Sequence, residues 1–570
     1  MSHEQSHGEL RQAIENQTWD EIIVGAGSSG AVLASRLSED PTRRVLLIEA
    51  GPDFDSIAAT PPALLDAQAP VMQGYNWPYA ANLRDSGLLQ GLLESSQLLS
   101  NSPRDMFNAA KAVLRAPQSL AASLQKFPYF VGKVVGGSSA VNGAVALRPM
   151  PDDFARWQAA GNEAWSWEQV LPYFIRLEND QNFSSPIHGN AGPIPIVRSH
   201  VHELQPLQAA FRAACMTLGM RHISDMNEPE CAGLSGVGIV PSNQINHQRV
   251  STAIAYLLPA RKRSNLQIQA NTTVHRVLFE GKRAIGIEYL DQSGQMQSIK
   301  AQRISLCAGA INTTPILLRS GIGNANTCRS LGITPIIDLP GVGENLSDHP
   351  AVMFWMTPKI IDEGKAQLAH QVMLRSASEQ ARAAGQASDI NLFILNNLAT
   401  ASIPMLGDLL KSPLANAISI VLTQPASRGR VFLENAKAGT APTIDLNLGA
   451  VPEDIERLMH GLRLAWKIAN TKEIAEHTRS IFLWNEAIMQ SDKLLKSSIN
   501  RFINGTWHAT GTTKIGPIQD NMAVVDQHCR VHGCQNLNIV DAGVMPTIPQ
   551  TPTNLSCMML GERVADWMRQ

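Results

Sequence analysis

An α/β fold built from more than one structural unit is predicted by three features of the sequence. Residues 20–49 spell a strand, a glycine-rich turn, a helix and a second strand. Further glycine-rich loops follow apolar runs of strand length as far as residue 349. The length of 570 residues is also too great for one simple hydrophobic core. Lys and Arg number 47 against 49 Asp and Glu, a formal charge of -2, so the chain lacks the basic excess that displaces counterions from a phosphate backbone. Nucleic acid is therefore not an expected partner.

The first unit opens with Asp20-Glu-Ile-Ile-Val24, an apolar run of strand length. Gly25-Ala-Gly27-Ser28-Ser29-Gly30 turns the chain, Ala31 to Leu37 has helical composition, and Val45-Leu-Leu-Ile48 runs into Glu49-Ala50. The spacing is that of a Rossmann-like dinucleotide-binding unit, with an acidic residue nineteen positions beyond the last glycine. The first two glycines permit a tight turn and close backbone approach to a pyrophosphate, and Gly30 lets the helix pack on the strand. The helix start supplies unpaired N–H groups and partial positive charge for the phosphates. Glu49 can accept hydrogen bonds from a ribose diol and would repel a 2′-phosphate. Dinucleotide contacts are thus expected from Gly25, Gly27, Ser28, Ser29, Gly30, Glu49 and Ala50. The unit alone does not separate FAD from NAD.

Beyond it, the loop from Gly132 to Gly143 is rich in small residues, whose missing side chains let backbone approach a ligand or another strand. Ile304-Ser-Leu-Cys-Ala-Gly309 reads as a buried strand running into a short helix that ends at Ser320-Gly-Ile-Gly323, and Gly341 to His349 form another loop. Between Trp77 and Gly132, apolar pairs such as Leu88-Leu89, Leu92-Leu93 and Leu98-Leu99 recur at spacings near four. They predict two or three short amphipathic helices with breaks at Pro103 and Pro117. Three roles stay open for them: packing on the domain surface, a lid for an apolar substrate, or peripheral docking to a membrane or partner. The seven cysteines contain no C-x-x-C pair, and no histidine spacing suggests a metal. Reduced thiols, a cytoplasmic location and no metal site are expected. Residues 1–18 read as a flexible leader without the apolar core of a signal peptide, and no run of about 18 apolar residues is present.

Near the C-terminus stand Trp507-His508-Ala-Thr-Gly-Thr512, Val540-Asp541-Ala542, Met545-Pro546 and Thr553-Asn554. With the earlier loops, in this order and over nearly the whole chain, they resemble the glucose-methanol-choline (GMC) family of FAD-dependent oxidoreductases. The resemblance implies an FAD-binding domain assembled from 19–160, 241–350 and 505–570, with an insertion near 82–128. An α+β substrate-binding domain would be interleaved with it at 161–240 and 351–504. The resemblance further implies flavin contacts from Gly136, Gly137, Ser138, Ser139, Asn142 and Gly143, an adenine contact from Val274, and backbone near the flavin ring from Asp541 and Ala542. Members that attach FAD covalently carry histidine where this chain has Val141, so noncovalent FAD is expected. A proline that usually follows the Ser/Thr of the second signature stands one place late, at Pro315 after Thr314, which implies an altered local turn.

Oxidising an alcohol needs a base for the hydroxyl proton and an acceptor for the hydride. The resemblance places the base at His508, and a neutral histidine suits the task. It places the group that holds the substrate oxygen at Asn554, whose amide can donate and accept. Trp507 is expected to wall the pocket, whereas His349 is read as belonging to a cofactor-side loop. The few charges between Ile403 and Leu422 and the apolar insertion favour an apolar or aromatic primary alcohol over a sugar. Oxygen, a quinone or a protein would then take the electrons. The family also contains hydroxynitrile lyases and light-driven fatty-acid decarboxylases, which are the alternative readings.

Overall fold

The computed structural model describes residues 18–83, 126–229, 235–291, 293–359, 369–400 and 410–570. The expected leader, but for Thr18, and the helices expected inside the 82–128 insertion lie outside the described residues.

The first sheet is organised around its N-terminal strand, Trp19–Val24, which pairs in parallel with Val45–Ile48 on one side and with Met296–Leu306 on the other. Leu266–Gln269 extends the sheet in parallel beyond Val45–Ile48. The long strand Met296–Leu306 is shared: its end pairs in parallel with Leu537–Ile539, and its beginning pairs antiparallel with Arg283–Leu290, which continues to Thr273–Glu280. Ile22, Ile23, Val45, Leu46 and Leu47 are fully buried, since a parallel sheet is covered on both faces and its strands read as unbroken apolar runs. Helix Gly30–Leu37 packs on this sheet, and the C-terminal helix Asn554–Arg569 packs on that helix. The altered turn expected at Thr314-Pro315 is instead a continuous helix, Gly309–Arg319, with Pro315 in its interior. Proline forfeits one backbone N–H there, while Ile316, Leu317 and Leu318 around it remain buried in the core.

The second sheet runs in the order Thr478–Ile481, Ala351–Pro358, Leu414–Leu422, Ile390–Ala399, Val372–Ser376, Gly236–Ile239, Arg221–Ile223. Only its last pair is parallel. Helix Pro452–Ala469 lies across Ala351–Pro358, Leu414–Leu422 and Ile390–Ala399, and Gly461 permits the approach, because a Cβ there would sit 2.5 Å from Cγ2 of Ile420. Side chains alternate along Ile390–Ala399 with the two-residue period of a strand. Ile390, Leu392 and Ile394 enter the second core, and Asn391, Phe393 and Leu395 face the cavity described below.

A four-stranded sheet joins Arg430–Phe432, Thr443–Asp445, Tyr79–Asn82 and Lys126–Tyr129. It corrects the limits of the predicted helical insertion. Tyr79–Asn82 and Lys126–Tyr129 are antiparallel strands with Asn82 opposite Lys126, so both ends of the 82–128 span are extended rather than helical. Along Lys126-Phe-Pro-Tyr129 exposure alternates residue by residue, a pattern too short to compete in sequence with the leucine pairs before it. No described helix is long and apolar enough to cross a membrane.

Candidate active site

Between the two sheets lies a cavity of about 650 Å³. The glycine turn after Trp19–Val24 forms one wall, and its glycines have different reasons to be glycine. Gly25 has φ of 101°, and a Cβ there would meet the Cys307 carbonyl oxygen at 2.5 Å, so the turn itself requires it. At Gly30 a Cβ would strike the Gly25 carbonyl, which ties the helix tightly to the turn. Gly27 is different: a Cβ there would meet only Cα of Gly137, at 3.8 Å, so the room its missing side chain leaves belongs to the cavity. The turn and the Gly136-Gly137 loop thus make a backbone-lined cradle beside a helix start, which fits a dinucleotide.

Glu49 is buried, and its carboxylate accepts from the N–H of Ala26 at 2.9 Å and of Gly51 at 2.9 Å. Burial pushes its pKa up to about 7, against the pull of those N–H groups. The residue expected to meet a ribose therefore also braces the turn, and its remaining lone pairs are what a diol could use.

At the far end the loop Gly505–His508 wraps around a buried carboxylate. Asp348 accepts from the backbone N–H of His349 at 2.8 Å, of His508 at 2.9 Å and of Trp507 at 3.1 Å, and from the Tyr129 hydroxyl at 2.9 Å. These bonds hold Trp507 at φ of 63°, a conformation a tryptophan rarely adopts and one that costs about 1 kcal/mol or more. The Trp507 ring stacks on Phe127 at 5.6 Å and lies 5.3 Å from Phe130, so it forms the rim of the cavity, partly exposed, rather than a deep wall.

The histidines then form a chain that fixes their protons. A carbonyl can only accept, so Nε2–H of His349 donates to Pro549 at 2.9 Å. Neutral His349 therefore has a bare Nδ1, and this accepts from Nδ1–H of His508 at 3.0 Å, with Oγ1 of Thr506 2.9 Å from the same His508 nitrogen. Nε2 of His508 is left unprotonated, on a ring that lines the cavity. Burial lowers the His508 pKa to about 4; burial and then the neighbouring His508 lower that of His349 to about 3. Opposite, the Ser28 hydroxyl donates to Oδ1 of Asn554 at 2.8 Å.

Of the residues expected to touch cofactor or substrate, Gly25, Gly27, Ser28, Ser29, Glu49, Ala50, Gly137, Ser138, Asn142, Gly143, Val274, Asp541, Ala542, Trp507, His508 and Asn554 line this one cavity. Gly30, Gly136 and Ser139 stand outside its lining. Ser139 is fully buried behind the wall, bonded to the Gly136 carbonyl and Thr252, because the short 3₁₀ turn Gly137–Ala140 points successive side chains in different directions. The Asp541 carboxylate accepts from Thr313, Gly309 and Gly543, tying the second glycine signature to the C-terminal segment. Asp348, His349 and His370 were not singled out for the site. His370 donates from Nε2 to the Gly143 carbonyl at 3.1 Å, and the loop from Gly343 to His349 carried the one available signal for the other two.

Away from the cavity, His188 lies among Glu178, Asp180 and Asp225 at metal-ligand spacing. Burial alone would lower its pKa, but hydrogen bonds to Asp180, Asp225 and Glu178 outweigh that and raise it to about 11. Arg148 and Arg198 pair with the same carboxylates at 2.6 and 2.7 Å. The cluster is a buried, charge-balanced ion network in which imidazolium occupies the position a metal would need.

Comparison with known proteins agrees with this architecture. The chain is 33% identical over 573 residues to a 5-(hydroxymethyl)furfural oxidase of Methylovorus sp., covering 96% of this chain and 98% of that one. It is 30% identical over 568 residues to an alcohol dehydrogenase [acceptor] of Pseudomonas putida, covering 96% and 95%. It is 31% identical over 569 residues to the mitochondrial choline dehydrogenase of Homo sapiens, covering 96% and 89%. Its fold is similar to the crystal structure of pyridoxine 4-oxidase from Mesorbium loti, with a TM-score of 0.82 and 28% identity over 97% of this chain and 99% of that one. The GMC oxidoreductase family matches in its N-terminal part over residues 19–351 and in its C-terminal part over 425–561. The chain therefore belongs to the GMC oxidoreductase family of enzymes, as its ordered motifs predict.

Proposed function

We propose that this enzyme oxidises an apolar or aromatic primary alcohol to the aldehyde, with noncovalently held FAD, His508 as base and Asn554 as the group that orients the substrate oxygen. The observation that carries this reading is the bare Nε2 of a neutral His508 in the same cavity as the Asn554 amide and the dinucleotide cradle. Bound FAD would supply the hydride acceptor at its flavin N5. Gly25, Gly27 and Ser28 would hold its pyrophosphate, Glu49 its ribose and Val274 its adenine, with Gly137, Ser138, Asn142, Gly143, Asp541 and Ala542 along the flavin. Val141, without a nucleophilic side chain, supports noncovalent attachment. His508 takes the hydroxyl proton on Nε2 while its Nδ1–H stays on His349. Oxygen, a quinone or a protein completes the cycle as acceptor. A cytoplasmic location is part of the same reading, supported by six free thiols among the described residues.

The cavity's chemistry supports this substrate class. Phe393, Leu395 and Val421 line its substrate-side wall, and the only carboxylates among its described lining residues, Glu49 and Asp541, are engaged by backbone N–H groups. A quaternary ammonium would enter without a counter-charge, so choline should fare poorly although a relative is a choline dehydrogenase. Anaerobic visible spectra of the purified protein with benzylic, furanic and aliphatic alcohols are expected to show bleaching of the flavin. Choline should be at least about a hundredfold less efficient. Bleaching by choline as efficient as by benzyl alcohol would sink the apolar reading. A flavin bleached by no alcohol would sink oxidation itself in favour of lyase or photochemical turnover.

The buried histidines also set the pH response. With His508 held to about 4 and His349 to about 3, both stay neutral through the ordinary histidine range. Flavin reduction is expected to hold level between about pH 8 and about pH 6 and to fall only below about pH 5. Stability follows the same groups. The unfolded chain protonates these histidines, and His370, also lowered to about 4 by burial, near their ordinary pKa of 6.5, before the folded protein does. Their contribution is full above pH 6.5 and is lost progressively as pH falls toward 4. Tm measured across this window should drop accordingly, and a reduction rate that halves at pH 6.5 would contradict the histidine assignment.

A further inference from the structure

We infer that the substrate is a two-ended alcohol of the α,ω-diol kind, whose far hydroxyl donates to Nδ1 of His370 while its reacting hydroxyl lies at His508; the inference deepens the function proposed above and rests on it. His370 takes no part in the proton path, yet it lines the same cavity as His508. Its Nε2 is bonded to the Gly143 carbonyl at 3.1 Å, and a carbonyl can only accept, so this nitrogen carries the proton of the neutral ring. Nδ1 is left as a bare acceptor. It finds no partner among the described residues and is not sealed from solvent, so on a ring that lines the cavity it opens into that space.

One strand connects the two histidines and measures the span between them. Near its start, the strand Ile390–Ala399 is tied to the histidine chain: Asn391 donates from Nδ2 to the Gln550 carbonyl at 3.3 Å, next to Pro549, which accepts from His349. Further along, the Asn396 N–H donates to the Ala369 carbonyl at 3.2 Å, next to His370. Five steps of strand separate these anchors, about 16 Å at about 3.3 Å per residue. Side chains reaching in from both ends shorten the gap to be bridged, and an extended chain of about eight carbons with a hydroxyl at each end suits it. Between the ends the wall is apolar at Phe393 and Leu395, and Pro70, Val71 and Met72 line the His370 end, where the Ala369 N–H donates to the Gln68 carbonyl at 3.2 Å. In such surroundings a nitrogen lone pair is costly to leave without a donor. A terminal hydroxyl supplies that donor, a terminal methyl group would strand the nitrogen, and a carboxylate would be repelled by it.

The test uses purified holoenzyme and anaerobic stopped-flow reduction of its flavin, with 1,8-octanediol against 1-octanol as the long pair and 1,4-butanediol against 1-butanol as the short one. His370→Phe keeps a ring of similar size and removes the acceptor. It is expected to lower the octanediol-to-octanol ratio of kcat/KM by about tenfold or more, because the far hydroxyl then meets no acceptor. The butanediol-to-butanol ratio should move by less than about twofold, since a four-carbon diol held at His508 does not reach His370. An unchanged octane ratio, or a butane ratio that falls as far, would overturn the role of His370. A shifted flavin spectrum in the variant together with an unchanged octane ratio would place Nδ1 on the cofactor and overturn it equally. Should His370→Phe shed its flavin, the wild-type enzyme carries the test: its diol-to-monoalcohol ratio should climb as the chain lengthens from four to eight carbons, and a flat ratio would overturn the inference. A wild-type flavin that no alcohol bleaches would instead overturn the function on which the inference stands.

Discussion

Replacing Gly27 by valine is expected to give a folded, colourless protein. The backbone at Gly27 is not left-handed, and a Cβ added there would meet only Cα of Gly137, at an ordinary contact distance of 3.8 Å. The polypeptide can therefore accept the side chain, but its methyl groups would fill the cradle where a pyrophosphate must approach the turn. Overpacking of this kind costs about 2 kcal/mol or more, which corresponds to at least about a thirtyfold loss of cofactor affinity. Gly25→Val provides the contrast. With φ of 101° and the Cys307 carbonyl oxygen 2.5 Å from the added atom, it should disturb the turn itself and lower Tm. The measurement is flavin absorbance per protein beside far-UV circular dichroism. A Gly27→Val protein with native dichroism and full flavin would refute the cradle.

That contrast also shows what could be read in advance. Residues 20–49 were legible because everything that identifies them is local: a strand, a turn and a helix whose contacts lie within about thirty positions of one another. His508 and Asn554 were legible through motifs, which carry function without carrying geometry. Their partners were not. His349 meets His508 across 159 residues and Ser28 meets Asn554 across 526, and no periodicity in a single sequence reports such approaches. Within one loop, Ser138 lines the cavity and Ser139 is buried against Thr252, a difference set by the turn's handedness rather than by residue type. Glu49 was read from its spacing as a ribose ligand, but its bonds to Ala26 and Gly51 depend on the strand end folding back on the turn. The second sheet was foreseen only as a region, since the register of its antiparallel strands depends on partners supplied from Gly236 to Ile481.

For His508→Ala the expected result is a yellow protein that alcohols hardly reduce. The side chain lies at the far end of the cavity from the glycine turn, so its loss removes no group that would hold the dinucleotide. What it removes is the ring whose Nε2 the hydrogen-bond chain leaves bare in the cavity. No neighbour can take over. Nδ1 of His349 would face the vacated space, but that ring is pinned by its Nε2–H bond to Pro549 with its centre 5.1 Å from that of the lost imidazole, and the Thr506 hydroxyl is a far weaker base. Loss of a positioned general base typically costs about 10² to 10⁴ in rate, so reduction at saturating alcohol should fall by roughly that factor with flavin content unchanged. The pH dependence separates this role from mere packing. The wild-type rate is level near neutrality because His508 is already deprotonated there. The variant must rely on solvent to ionise the alcohol, so its residual rate should climb with rising pH. A variant with a pH-independent rate within a few-fold of wild type would mean that the proton leaves by another path and that His508 only shapes the cavity.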